Sequence, residues 1–191
     1  MRLILLFCCL CLCAACGKCG WGSYYTHGLK QYSGDGTISD TSQSSGLFGS
    51  RGYIVDFPGF DLGSAHHATY HLSGLPSLGW AKAEIELTIN DPKGYSATDV
   101  DELRHRTTGT FKCSLLESSG KVVATFETPL KNLIWSSPIH DRSGYALYDL
   151  DKSFFLPRSG TNYTLTIEYS GDSSLAGQHG AVDIWCGCGG S

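Results

Sequence analysis

The feature that most constrains this chain is a strict two-residue alternation of apolar and polar side chains. Ala81, Ala83, Ile85, Leu87 and Ile89 alternate with Lys82, Glu84, Glu86 and Thr88. Tyr163, Leu165, Ile167 and Tyr169 alternate with Thr164, Thr166 and Glu168. In an extended strand, successive side chains point to opposite faces, so each segment has one apolar flank and one polar flank. Wound into a helix, the same residues would scatter around its circumference. The chain must therefore build sheets and bury one flank of each strand.

Other segments repeat the pattern. Tyr53 to Phe57 reads as a strand stopped by Pro58-Gly59, and Ala68, Tyr70 and Leu72 alternate with Thr69 and His71. Phe111, Cys113 and Leu115 lead through Glu117-Ser118-Ser119-Gly120 to Val122, Ala124 and Phe126, which predicts a hairpin. Leu133 to Trp135, Tyr145 to Leu150, and Val182, Ile184 and Cys186 complete the set. Thr98 to Arg104 predicts a helical turn or two, with Thr98 as cap and acids early. About eight half-buried strands at this spacing predict an all-β domain over 53–191. The expected fold is an antiparallel two-sheet β-sandwich with one face of each sheet wet. Jelly-roll, C2-like and immunoglobulin-like topologies all satisfy the pattern. Its 24 glycines and 12% aromatic residues suit strands joined by tight turns.

Residues 17–52 show no sustained period and are rich in Gly, Ser, Thr and Tyr. They read as a flexible stalk, because such a stretch buries little apolar area. The formal net charge is −4, with no basic run. A phosphate-binding surface needs such a run, so nucleic acid is not an expected partner.

The first residues differ from the rest. After Met1-Arg2, Leu3 to Cys13 form an unbroken apolar run, ending in Cys13-Ala14-Ala15-Cys16. The run is well short of the ~20 residues of a spanning helix and fits the apolar region of a signal peptide. Two small residues before a cysteine resemble the lipobox of bacterial lipoproteins, a likeness that covers residues 1–16 only. It implies removal of residues 1–15 and acylation of Cys16, with 16–52 as anchor and stalk. Cleavage after Ala15 without lipid, and a retained acylated anchor, are the other readings of these residues. Several acyl chains would make membrane attachment stable.

With the leader gone and Cys16 acylated, Cys19, Cys113, Cys186 and Cys188 remain as disulfide candidates outside the cytoplasm. Cys113 and Cys186 fall on inward flanks. A bridge between them is the first expectation, and two small buried hydrophobes the second.

Few patterns point to chemistry. Asp91, Asp99, Asp101, Asp149 and Asp151 lie in or near predicted loops. They are candidates for calcium, which takes six to eight oxygens; no other cofactor is expected. Trp80, Trp135 and Trp185 sit near strand ends, where a ring can stack a sugar or peptide. Glu84 and Glu86 share a strand flank about 7 Å apart by strand rise. A carboxyl pair of that kind can serve glycoside hydrolysis, but strand patterning already explains it. No nucleophile elbow or phosphate loop is present, so no catalytic residue is assigned.

The expected function is that of an exported, lipid-anchored envelope protein, or a secreted one. Its sandwich would act in binding or structure, with a glycan or protein as ligand. The alternatives are a carbohydrate- or calcium-dependent binding module and an envelope hydrolase. We expect Cys16→Ser to move the protein from the membrane fraction to the soluble one; a variant still held in the membrane would remove the lipobox reading.

Overall fold

A computed structural model of the chain describes residues 29–41, 51–79, 81–90, 97–136 and 144–188; of Arg51, Ala97–Val100 and Cys188 it describes the backbone alone. Twelve strands follow one another: β1 (Thr37–Asp40), β2 (Arg51–Asp56), β3 (Phe60–Asp61), β4 (His66–Ser73), β5 (Ala83–Asn90), β6 (Thr110–Glu117), β7 (Val122–Pro129), β8 (Ile134–Ser136), β9 (Gly144–Tyr148), β10 (Phe154–Phe155), β11 (Asn162–Tyr169) and β12 (His179–Cys188). A helix, α1 (Ala97–Arg106), lies between β5 and β6. Its last turn carries the basic residues Arg104, His105 and Arg106, and the two arginines suit the negative end of the helix dipole.

The strands form a β-sandwich of two antiparallel sheets. The larger has eight strands in the order β1-β2-β12-β5-β9-β8, with β3 added to β12 and β10 to β5. The smaller has four, in the order β4-β11-β6-β7. The alternation dictates what lies between them. In the larger sheet Val55, Ile184 and Ile85 sit side by side across β2, β12 and β5, and Val182, Leu87 and Leu147 form the next row. In the smaller sheet Tyr70, Leu165, Leu115 and Ala124 form one row, and Ala68, Ile167, Cys113 and Phe126 another. Most of these side chains are fully buried and belong to one continuous core. Truncating any of the large ones to alanine would leave a cavity and cost about 2–5 kcal/mol.

The sandwich reaches further toward the N-terminus than the sequence suggests. The stretch read as stalk contributes β1, which pairs with β2 from Thr37 opposite Asp56 to Asp40 opposite Tyr53. Just before it, Ser33 N–H donates to Ser73 O, and Asp35 N–H to His71 O at 2.7 Å. His71 N–H returns a bond to the Asp35 carboxylate. Residues 33–40 therefore join the edge of β4 in one sheet to the edge of β2 in the other. Gly36 makes the turn at φ 84°, and a Cβ there would stand 2.7 Å from Asp56 O. Main-chain bonds and one half-buried Ile38 hold this strap, so no side-chain period announces it.

Buried polar groups close one end of the sandwich. Asp172 is almost fully buried. It accepts the N–H of Thr108 at 2.6 Å, of Gly109 at 2.7 Å and of Ser174 at 2.9 Å, together with the Ser174 hydroxyl. Burial alone would raise its pKa; these bonds outweigh burial and hold it below the usual aspartate value. The Tyr169 hydroxyl donates to Leu62 O beside it.

The Cys113–Cys186 bridge expected from sequence is not made: both are free, buried thiols. Each sits in its own sheet, Cys113 between Ile167 and Phe126, and Cys186 between Tyr53 and Ala83. Packed sheets stand about 10 Å apart, whereas a disulfide needs Cα atoms within about 7 Å. Burial pushes both thiols up to about 12. We expect both to resist alkylation in the folded chain at neutral pH and to label fully once it is unfolded without reductant. Labelling of Cys113 only after reduction would restore the bridge.

Candidate functional site

A set of ionisable side chains lies on the outer flank of the larger sheet. Register places it there. Asp183 of β12 stands opposite Asp56 of β2 on one side and Glu86 of β5 on the other. In the next row Trp185 lies between Ile54 and Glu84, and Phe154 of β10 faces Glu84 from beyond. Tyr148 of β9 closes the group near Glu84 and Glu86; burial first, and then those two carboxyls, raise its pKa. Four carboxyls thus occupy neighbouring positions on three adjacent strands, which run about 4.8 Å apart.

The alternation implied that this flank would be wet; the structure shuts its centre off from water. Glu84 is 5% exposed, Glu86 4% and Asp183 0%. Period-two patterning marks which residues share a flank, but not whether that flank meets water. Burial, and then the neighbouring Glu86, push the Glu84 carboxyl up to about 8. A charged carboxylate is costly to keep from water, and a like charge beside it adds to the cost. Glu84 Oε1 has no hydrogen-bond partner among the described residues. At neutral pH Glu84 is therefore chiefly a neutral acid.

A neutral acid beside a second carboxyl is the pairing used in general acid–base chemistry. Catalysis also requires contact with the reacting atoms. Glu84 and Glu86 have less than a tenth of their surface exposed.

The residues singled out in the sequence fall in several places. Cys16, Cys19, Trp80 and Asp91 lie outside the described residues. Asp99 lies on the backbone of α1, and Cys188 ends β12 opposite Arg51. Asp101 is exposed on α1, its carbonyl 2.7 Å from His105 Nδ1. Asp149 spends its carboxylate on the fold: Oδ2 accepts the Thr128 hydroxyl at 2.8 Å, and Oδ1 accepts the N–H of Asp151 and of Lys152, both at 3.2 Å. Asp151 is exposed. Among the described residues no three His, Cys, Asp or Glu side chains converge on a common metal position.

The tryptophans separate. Trp135 is half-buried against the core; its indole N–H donates to Leu130 O at 2.9 Å and its ring tilts against Tyr145. Trp185 lies on the carboxyl flank and spreads over Gly187, where an added Cβ would stand 2.2 Å from its ring. Asp56 and Asp183 were not singled out as site residues from the sequence. The only sign of Asp183 was its antiphase to Val182 and Ile184; its neighbours depend on strand order.

Fold and flank define a class, an antiparallel two-sheet β-sandwich with a buried acidic outer flank. No family model matches the chain, and no curated protein sequence matches it. Among solved structures, the chain is similar to the enzymatically active domain of tailspike protein 4 of bacteriophage CBA120. Identity is 16%, over 88% of this chain and 21% of that one, with a TM-score of 0.28. The chain spans about a fifth of that domain's chain, and a likeness so slight carries no argument. Among the described residues no helix is long and apolar enough to cross a membrane.

We expect Trp135→Phe to lower stability by about 1 kcal/mol through loss of the bond to Leu130 O, measured by urea unfolding. An unchanged midpoint would free Trp135 for a ligand-facing role.

Proposed function

We propose that this chain is exported, anchored through a lipid on Cys16, and acts at the cell envelope by binding rather than by catalysis. The anchor reading draws on the apolar run Leu3 to Cys13 and on Ala14-Ala15 before Cys16. The binding reading rests on one observation. The paired carboxyls best suited to acid–base work, Glu84 and Glu86, are shielded on a buried flank. The other titratable groups of interest serve the fold: Asp149 and Asp172 hold backbone N–H groups, and the thiols of Cys113 and Cys186 are pushed up to about 12.

The calcium- and sugar-dependent alternatives have less support. Asp149 has its oxygens engaged, and Trp135 is locked into the core. Of the two ligand classes, a protein is therefore favoured over a glycan, met on the membrane to which the anchor holds the domain.

Two measurements test the proposal. The N-terminal peptide of membrane-extracted protein should begin at Cys16 and carry acyl chains; an unmodified Cys16 or an N-terminus at Met1 would overturn the anchor. A folded, anchored Glu84→Gln chain should fully restore any envelope defect caused by loss of the protein. A folded variant that fails to do so would favour the hydrolase.

A further inference from the structure

We propose that the end of the sandwich at which the chain enters lies against an anionic phospholipid surface, an orientation that rests on the anchor reading. The strap fixes where the chain enters. Tyr32 N–H donates to Leu29 O, Ser33 N–H donates to Ser73 O, and a Cβ on Gly74 would stand 2.5 Å from Gln31 O. Leu29 to Ser33 therefore lie against the end of β4. Only residues 17–28 separate Leu29 from Cys16. A chain spans at most ~3.6 Å per residue, so this link reaches no further than about 45 Å. The eight residues of β4 alone span about 27 Å. For the far end to face the membrane, the link would have to run back along that length, whereas the entry end is already near.

Strand pairing brings other loops to the same end. Ser73 stands opposite Asn162, whose carbonyl accepts Ser118 N–H, and Tyr163 stands opposite Glu117. The β6–β7 turn therefore lies beside the entering chain, and Val122 follows that turn. The β10–β11 connection reaches the same place. The Arg158 guanidinium stands 3.4 Å from the Glu117 carboxylate, and Arg158 N–H donates to the Tyr163 hydroxyl. Leu156 comes directly after β10, and β10 approaches β7. Val122 is 52% exposed and Leu156 43%. Large apolar side chains on adjoining loops suit the boundary between lipid headgroups and acyl chains. Ile134 and Leu150, also exposed, lie on β8 and between β9 and β10.

The charge at this end fits the same surface. Lys30 in the entering chain, Lys82 just before β5, Lys121 just before β7 and Arg158 after β10 are all exposed. Lys82 belongs here because its neighbour Ala83 pairs with Phe155. The acids at this end are Asp40, opposite Tyr53, and Glu117, which is mostly buried and paired with Arg158. The described part of the end is thus positive, on a chain of net charge −4. Lysine and arginine are drawn to an anionic leaflet within about a Debye length, roughly 8 Å at physiological salt. Such a contact is weak by itself. A short tether keeps the domain at high effective concentration near the surface, so the contact orients an anchored domain rather than holding a free one.

The test is hydrogen exchange, read by mass spectrometry, of the full chain held on phosphatidylcholine vesicles with or without phosphatidylglycerol. Peptides covering 116–122 and 154–162 should exchange at least about twofold more slowly on the anionic vesicles than on the neutral ones. A peptide covering 104–110, at the opposite end, should not change. Equal rates at the two loops on both vesicles, as for an end that is merely solvated or docks a protein, overturn the proposal; so does equal slowing at 104–110. Lys121→Glu combined with Leu156→Asp should abolish the difference while the chain still pellets with the vesicles, and a double variant that keeps the difference overturns the proposal too. The wild-type comparison decides even if that variant does not fold. Failure of the wild-type chain to pellet with neutral vesicles counts against the anchor alone. An N-terminal hexahistidine tag and nickel-chelating lipid then supply the tether, and the same comparison decides which end meets the surface.

Discussion

The pairing of β5 with β12 at the centre of the larger sheet is the constraint on which the rest depends. Ile85 stands opposite Ile184, and Glu86 opposite Asp183. Side chains alternate between flanks, so a slip of one residue would turn the acids into the core and the isoleucines out of it. The smaller sheet then covers the apolar flank with Leu165, Ile167, Leu115 and Phe126. Both strands pair on both sides, so the same register passes to β2 and β9 and sets the rows of the whole sheet. The core and the acidic flank are thus two results of one alignment.

The acidic flank is where this fold accepts a cost. A carboxyl shut off from water must be neutralised or matched. For Glu84, burial and then the neighbouring Glu86 push the carboxyl up to about 8, so the neutral form is favoured.

Closure of the sandwich depends on a segment with little apolar content. Residues 33–40 bond the edge of β4 and then become a strand beside β2. An open sheet edge invites pairing with another chain, and a covered edge does not. Ser33 and Asp35 bond the edge of β4, and β1 covers the edge of β2, chiefly through main-chain bonds. The Asp35 carboxylate on His71 N–H adds a side-chain tie.

Much of the architecture was legible in the sequence because strand periodicity is local. The alternation in 81–89 and 163–169 located β5 and β11, the signals at 117–120 placed the hairpin of β6 and β7, and the polar stretch after Pro92 suggested α1. Short strands without a period, β1, β3 and β10, were not legible, since main-chain pairing holds them and leaves no mark on side-chain order. Cys113 and Cys186 were correctly placed on inward flanks, yet facing inward from two sheets does not bring two sulfurs within bonding reach. What the amino-acid order determined by itself is which residues share a flank of each strand. What only the tertiary structure decided is which strands lie side by side and which flanks are shut off from water. Asp56, Asp183 and Glu86 come from distant parts of the chain and meet only through strand order, and burial is a property of the packed whole, so neither could be read from any one segment.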